Sequence, residues 1–274
     1  MNVLVYLILL AVLGGATGKI EKGLEERLRE SLAAKKVEVK VTRAHRAPFS
    51  TTVDELSINL EDFQLKDGPA PSEGIIFSPG KDVQAGKISS IKVGAHRFSA
   101  QGLAVKELQV TICELRYNMK KALLRRKLEI IGVKSCQGQL LLEESALNRF
   151  AAPKVKELDN FRLRLTAGRV EISGNYKNKL NVPVPVTLTA RLQPQGGQVY
   201  LVEPRLKLSV MPVPGFVAQR VADQVNPVVD LNSDPALPCI ISIAQLRAEP
   251  GALHATADIV LRPGGTAQPA DKAH

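Results

Sequence analysis

A chain of 274 residues is long enough to bury one sizeable core, and its 45% hydrophobic and 23% charged residues are those of an ordinary globular protein. Aromatic residues make up only 4% and Trp is absent, which argues against a single-strand nucleic-acid binder that stacks bases on exposed rings. The net charge of +10 favours an anionic partner, whether nucleic acid, acidic polymer or membrane surface, without choosing among them.

Residues 3–13 form an unbroken apolar run, followed by Gly14, Gly15, Ala16 and Gly18. An apolar stretch of this length before an Ala16-x-Gly18 site reads as a secretory signal peptide. Residues 1–18 are also barely long enough for a thin membrane span, so a cleaved signal and an uncleaved anchor are both open. No Lys or Arg precedes the run, whereas Lys19, Lys22, Arg27 and Arg29 follow it, and that asymmetry runs against export. The segment GGATGK superficially resembles a phosphate-binding loop. Leu13 stands where that motif needs its first Gly, Ile20 replaces the hydroxyl residue, and no βαβ pattern follows.

Ile20, Leu24, Leu28 and Leu32 recur every fourth residue and predict an amphipathic helix with a narrow apolar stripe. From there the dominant period is two. Val37, Val39 and Val41 alternate with charged residues, as do Leu56, Ile58 and Leu60. The same alternation marks Phe161, Leu163 and Leu165, the even residues from Val182 to Leu192, Leu206 to Val210, and Leu253 to Leu261. Strands of this kind bury one face and wet the other, as antiparallel sheets do. Phase slips near Ile112/Cys113 and Ile130/Ile131 predict bulges in long, bent strands.

Two further helices are expected, one over 145–152 ended by Pro153, and one opening near Pro214 with Val217, Val221 and Val225 at i, i+4 spacing. The Gly- and Pro-rich segment Lys66–Lys87 reads as a long loop, and 263–274 as a polar, disordered tail. The fold class expected is α+β, mainly β. A strongly curved, long antiparallel sheet wraps an N-terminal amphipathic helix, with one or two further helices. Residues 19–262 form a single domain between a signal or anchor at 1–18 and the tail. Such a sheet leaves a lengthwise apolar groove, although pattern alone favours an ordinary dry core.

Groups that carry chemistry are scattered. His45, His96, His254 and His274 have no metal-ligand spacing, and no G-x-S-x-G elbow occurs. Cys113, Cys136 and Cys239 read first as small core residues, with Cys113/Cys136 the one pair worth testing for a bridge. No catalytic residue, metal or cofactor is expected, and the chain reads as a non-enzyme. The basic run Arg116, Lys120, Lys121, Arg125, Arg126 and Lys127 reads either as a solvated hairpin tip or as a contact for anionic head groups.

The order of motifs from Ser145 to Leu261 resembles the LmeA-like phospholipid-binding family. It runs through ESALNRF, FRLRLTAGRVEISGNYK, NVPVPVTLTARLQPQGGQVYLVEPRLKLS, MPVPGFVAQRVADQVNPVVDL and LPCIISIAQLRAEPGALHATADI. The N-terminal apolar segment followed by KIEKGLEERLRESL fits the same layout, while Arg43–Lys134 matches loosely. The resemblance implies an extracytoplasmic, non-enzymatic phospholipid binder of bacterial envelopes, with a fold similar to the tubular lipid-binding domains of the bactericidal permeability-increasing class. It carries no fixed ligand residues across. On this reading the expected partners are a phospholipid, anionic by the basic run, and a membrane surface, with lipid shuttling in the envelope as the role. The expected apolar lining is Leu24, Leu28, Leu32, Phe150, Phe161, Leu163, Leu165, Phe216, Val217 and Val221. A dry envelope scaffold is the alternative, and a basic nucleic-acid-binding protein comes third.

Overall fold

The computed structural model describes residues 17–43, 52–65, 75–77, 85–100, 102–120, 128–156, 158–177, 183–209, 211–233 and 239–261. The first helix, α1 (Thr17–Leu32), leads into β1 (Lys36–Arg43) and β2 (Thr52–Glu61), whose register sets Val37, Val39 and Val41 opposite Leu60, Ile58 and Leu56. All six are buried, as the alternation predicts.

The short β3 (Gln64–Leu65) and β4 (Ile75–Phe77) precede two long partners, β5 (Ala85–Ala100) and β6 (Leu103–Asn118); β7 (Leu128–Gly132) and β8 (Ser135–Glu143) follow. The chain then makes an excursion. It builds α2 (Glu144–Ala151), a 3-10 turn over 152–154, β9 (Leu158–Thr166), β10 (Arg169–Lys177), β11 (Pro183–Gln195), β12 (Gln198–Leu208), β13 (Met211–Pro212), α3 (Gly215–Val225) and β14 (Val229–Asp230). It returns through β15 (Cys239–Glu249) and β16 (Ala252–Leu261), which closes antiparallel onto β8.

The result is mainly β, in two sheets with few helices. The first has the order β1-β2-β5-β6-β8-β16-β15, the second β13-β12-β11-β10-β9, and neither closes into a barrel. One expectation fails here: β2 and β5 pair parallel, as do β3 with β5 and β4 with β7. A parallel pair needs a crossover of a dozen or more residues, and the long segment read as a loop supplies it while adding β4 and the start of β5.

The phase slips have a backbone cause. Ile112 and then Leu115 and Tyr117 are buried on β6, and Glu114 between them has φ +49. Its partner strand swaps faces in step, from Ile88 to Ile91. A register shift between Arg116 and Tyr117 leaves Ile131 as the extra residue on β7. On the second sheet a bulge at Asn160 (φ +54) faces Gly174, where a Cβ would stand 2.9 Å from the Asp159 carbonyl oxygen.

Sheet edges are closed by side chains. Glu25 and Glu21 of α1 accept from the Val39 and Val41 amides of edge strand β1, at 3.0 and 2.8 Å. Three asparagine amides each pair with both backbone groups of one strand residue. Asn148 takes Leu163 on β9, Asn226 takes Leu201 on β12, and Asn232 takes Ile241 on β15, at 2.5–3.0 Å. Each satisfies groups that would otherwise invite another strand. Gly197 is required beside the last, since its Cβ would fall 2.0 Å from Asn232 Nδ2.

Candidate functional site

Two hydrophobic cores form. The first lies on β1, β2, β5, β6 and β8 and takes in Leu28 and Leu32 of α1. The second lies between the inner face of the second sheet and α3. It holds Leu165, Val170, Leu188, Ala190, Leu201 and Leu206 against Ala218 and Ala222, both wholly buried. Leu147 of α2 and Leu253 of β16 pack against both.

The second core is covered along only part of its sheet. α3 lies along β12, tied at its start by Val213 N–H to the Leu206 carbonyl (2.9 Å) and at its end by Asn226 to Leu201. The apolar face continues beyond Leu206. Register carries it through Leu158, Tyr176 and Val184, and through Val186, Leu208 and Met211. Tyr176 is 47% exposed, Leu208 40% and Met211 71%. The inner face thus becomes an apolar trough, roofed by α3 at one end and open at the other.

The expected lining residues divide between these places. Leu28 and Leu32 belong to the first core, and the side chain of Leu24 lies outside the described residues. Leu165 is buried in the second core, with Leu163 and Val221 packed against it; Phe150, Phe161 and Val217 are half-buried. Phe216 is 72% exposed, and at 100° per residue it stands about 200° round α3 from buried Ala218, on the solvent side. Of the basic run, Arg116 and Lys120 are exposed, while Lys121, Arg125, Arg126 and Lys127 lie outside the described residues.

A second concavity, of about 690 Å³, lies where α1 ends and the β2–β3 corner meets β5, β6 and α2. Its floor holds Phe63 and Phe98, stacked with centroids 4.9 Å apart, beside Val105 and Ala146. Its rim carries Lys35, Arg97, Lys106 and Arg149 with Asp62 and Glu143. Arg97 reaches Asp62 at 3.0 Å and Glu61 at 2.8 Å, and Lys106 reaches Glu143 at 3.0 Å. The Arg97 hydrogen bond holds the Asp62 carboxyl below its ordinary value; Lys36 first, then Arg97, does the same to Glu61.

The three thiols lie near one another: after burial, Cys239 and Cys113 both add to the rise of the Cys136 thiol. Cys113, Cys136 and Cys239 form no disulfide with one another, and register places Cys136 opposite Ile112 and Cys113 opposite Ser135. Burial pushes the Cys136 thiol up to about 11 and the Tyr117 hydroxyl up to about 12. Among the described residues no cluster of His, Cys, Asp and Glu is arranged to hold a metal, and no helix is long and apolar enough to cross a membrane. His45 and His274 lie outside the described residues.

The open trough end was missed at the level of sequence, although Tyr176 continues the even phase of Val170 and Ile172 on β10. No local signal brings Phe63 to Phe98.

No curated protein and no solved structure matches the chain. A family model does, over residues 82–258, from the approach to β5 into β16 and so well over half of the chain. The family is defined by phospholipid binding and is not an enzyme family. The fold built from those residues, with its half-roofed apolar face, is therefore that of a member: the chain belongs to the LmeA-like phospholipid-binding family.

Proposed function

We propose that the chain holds a phospholipid by its acyl chains along the inner face of the second sheet, and handles lipid outside the cytoplasm in a bacterial envelope. The observation that carries this is the apolar face running out from under α3, which leaves Tyr176, Leu208 and Met211 in contact with solvent. Covering the exposed part of these side chains recovers a fraction of the about 1.5–3 kcal/mol that full burial of a Leu or Met gives, and each methylene of an acyl chain laid on them is worth about 0.8 kcal/mol. Leu163, Leu165, Val217 and Val221 form the roofed part of the lining. Met211 and the outward-facing Phe216 form an apolar lip that touches the bilayer. In the same proposal the first sheet curves about α1, and the basic run from Arg116 to Lys127 gives a preference for anionic lipid surfaces, at about 1 kcal/mol per basic residue near the membrane.

The test is Tyr176→Glu with Leu208→Glu, two positions exposed enough to leave the fold intact. The double variant should fold normally by circular dichroism and lose co-purifying phospholipid. Undiminished lipid in a folded double variant would place the acyl chains elsewhere.

A further inference from the structure

The cleft beside α2 has a charge pattern that the fold itself does not use up. Of its four cations, Arg97 is held by Asp62 and Glu61, and Lys106 by Glu143. Lys35 and Arg149 are exposed; Lys35 exerts only a minor pull on the Asp62 carboxyl, behind Arg97, and neither is bonded to a carboxylate among the described residues. Two positive charges with no bonded carboxylate among the described residues therefore line one concavity whose floor is apolar and aromatic. We infer that this cleft is a second binding site, taking the phosphate-ester head of an amphiphile, with Lys35 and Arg149 as the pair that clamps the phosphate.

The chemistry selects that class. The lining sets Lys35, Arg97, Lys106 and Arg149 against Asp62 and Glu143, and Glu61 behind Arg97 is itself paired with Lys36, so the rim has a net positive charge, which repels metal ions and favours an oxyanion. Charge-assisted hydrogen bonds from ammonium and guanidinium groups to phosphate oxygens are the strong kind. A bare anion would leave the Phe63, Phe98, Val105 and Ala146 floor with nothing to cover. A phosphate ester on an apolar body fills both parts, and 690 Å³ lies within the roughly 300–1,000 Å³ of small-molecule sites.

Placement adds to this. Ala146 and Arg149 put one side of α2 on the cleft. From the same helix, Glu144 accepts from Leu165 N–H at 2.6 Å and Asn148 clasps Leu163, both on β9 at the margin of the trough. One eight-residue helix thus borders both concavities. The inference rests on the lipid-binding reading for the identity of the amphiphile, and on the cleft alone for the phosphate.

The experiment is isothermal titration of the full chain with inorganic phosphate, glycerol 1-phosphate, dihexanoyl-phosphatidylglycerol and dihexanoyl-phosphatidylcholine. It is run on wild type, Lys35→Gln/Arg149→Gln, Lys35→Arg/Arg149→Lys, Ala104→Trp (which fills the cleft) and Tyr176→Glu/Leu208→Glu. The expected result is that short-chain phosphatidylglycerol binds wild type more tightly than the other three probes. The Gln pair should lose at least about tenfold in that affinity, one charge-assisted contact's worth, with the charge-keeping pair near wild type. Ala104→Trp should lose it as well, and Tyr176→Glu/Leu208→Glu should keep it. Wild-type affinity in the folded Gln pair, or no binding of any probe to wild type, overturns the site. Glycerol 1-phosphate binding as tightly as the short-chain lipid overturns its assignment to an amphiphile. The trough is judged separately, by long-chain lipid co-purifying with Tyr176→Glu/Leu208→Glu, so that either reading can fall without the other.

Discussion

Asn226→Ala removes the clasp that holds the end of α3 on β12. Asn226 Oδ1 accepts from the Leu201 amide at 2.8 Å, and its Nδ2 donates to the Leu201 carbonyl at 3.0 Å. Each bond is worth about 1 kcal/mol net, and each backbone group left without a partner costs about 1–3 kcal/mol when water cannot replace it. The site is part-buried, so water recovers some of that loss, and the expected destabilisation is about 2–3 kcal/mol. Asn226→Asp keeps the acceptor but sets a carboxylate against the Leu201 carbonyl, and should also be destabilised. Urea unfolding monitored by circular dichroism gives the free energy, and hydrogen exchange at the Leu201 amide reports the clasp itself. A loss below about 0.5 kcal/mol with unchanged exchange at Leu201 would refute the idea that this side chain fixes the roof of the trough.

Gly197→Ala should destabilise by about 2–4 kcal/mol in thermal melts, because its Cβ would fall 2.0 Å from Asn232 Nδ2 and 2.7 Å from the Ile241 carbonyl oxygen; a neutral outcome would mean that the β15 edge is not clasped. Leu165→Ala, at 2% exposure, should cost about 2–5 kcal/mol by leaving a cavity, whereas Leu208→Ala should cost under about 1 kcal/mol and show its effect in lipid content; equal costs would contradict the open trough. Asp62 and Glu61 have depressed folded-state values, so their stabilising contribution is present at neutral pH and fades as pH falls through and below the ordinary carboxylate range near 4. Melting temperatures between pH 7 and pH 3 should then fall less steeply in Arg97→Gln than in wild type, and parallel curves would remove Arg97 as the cause. Replacing Lys120, Lys121, Arg125 and Arg126 with Glu should weaken binding to anionic vesicles more than to neutral ones in a flotation assay. Equal weakening would leave that run a solvated tip.

Much of this was legible in residue order because it depends on near neighbours. The buried faces of β1 and β2 follow from alternation alone, since period two puts every second apolar residue on one face. Pro214 as the start of α3, and the bulges near Ile112 and Ile131, follow from equally local rules. The solvent side of Phe216 was legible too, by turning the helix from Ala218, and reading only the i, i+4 valines obscured it. What could not be read depends on groups far apart in the chain. The parallel β2–β5 pairing needs a crossover to be chosen over a hairpin, and the Phe63–Phe98 floor joins residues 35 positions apart. The three asparagine clasps look like ordinary loop and helix residues until a strand edge comes beside them. Nothing local in the sequence sets Lys35 and Arg149 apart among its 37 basic residues; they come together only where the fold brings the end of α1 beside α2.

The central claim, that a phospholipid occupies this protein, is tested most directly by native mass spectrometry of the full chain released gently from detergent, with lipid extraction in parallel. A bound phospholipid at defined stoichiometry, diminished in Tyr176→Glu/Leu208→Glu, is the predicted result. A clean protein mass that stays clean after incubation with phosphatidylglycerol vesicles would contradict it, and would make the second sheet and α3 a dry scaffold.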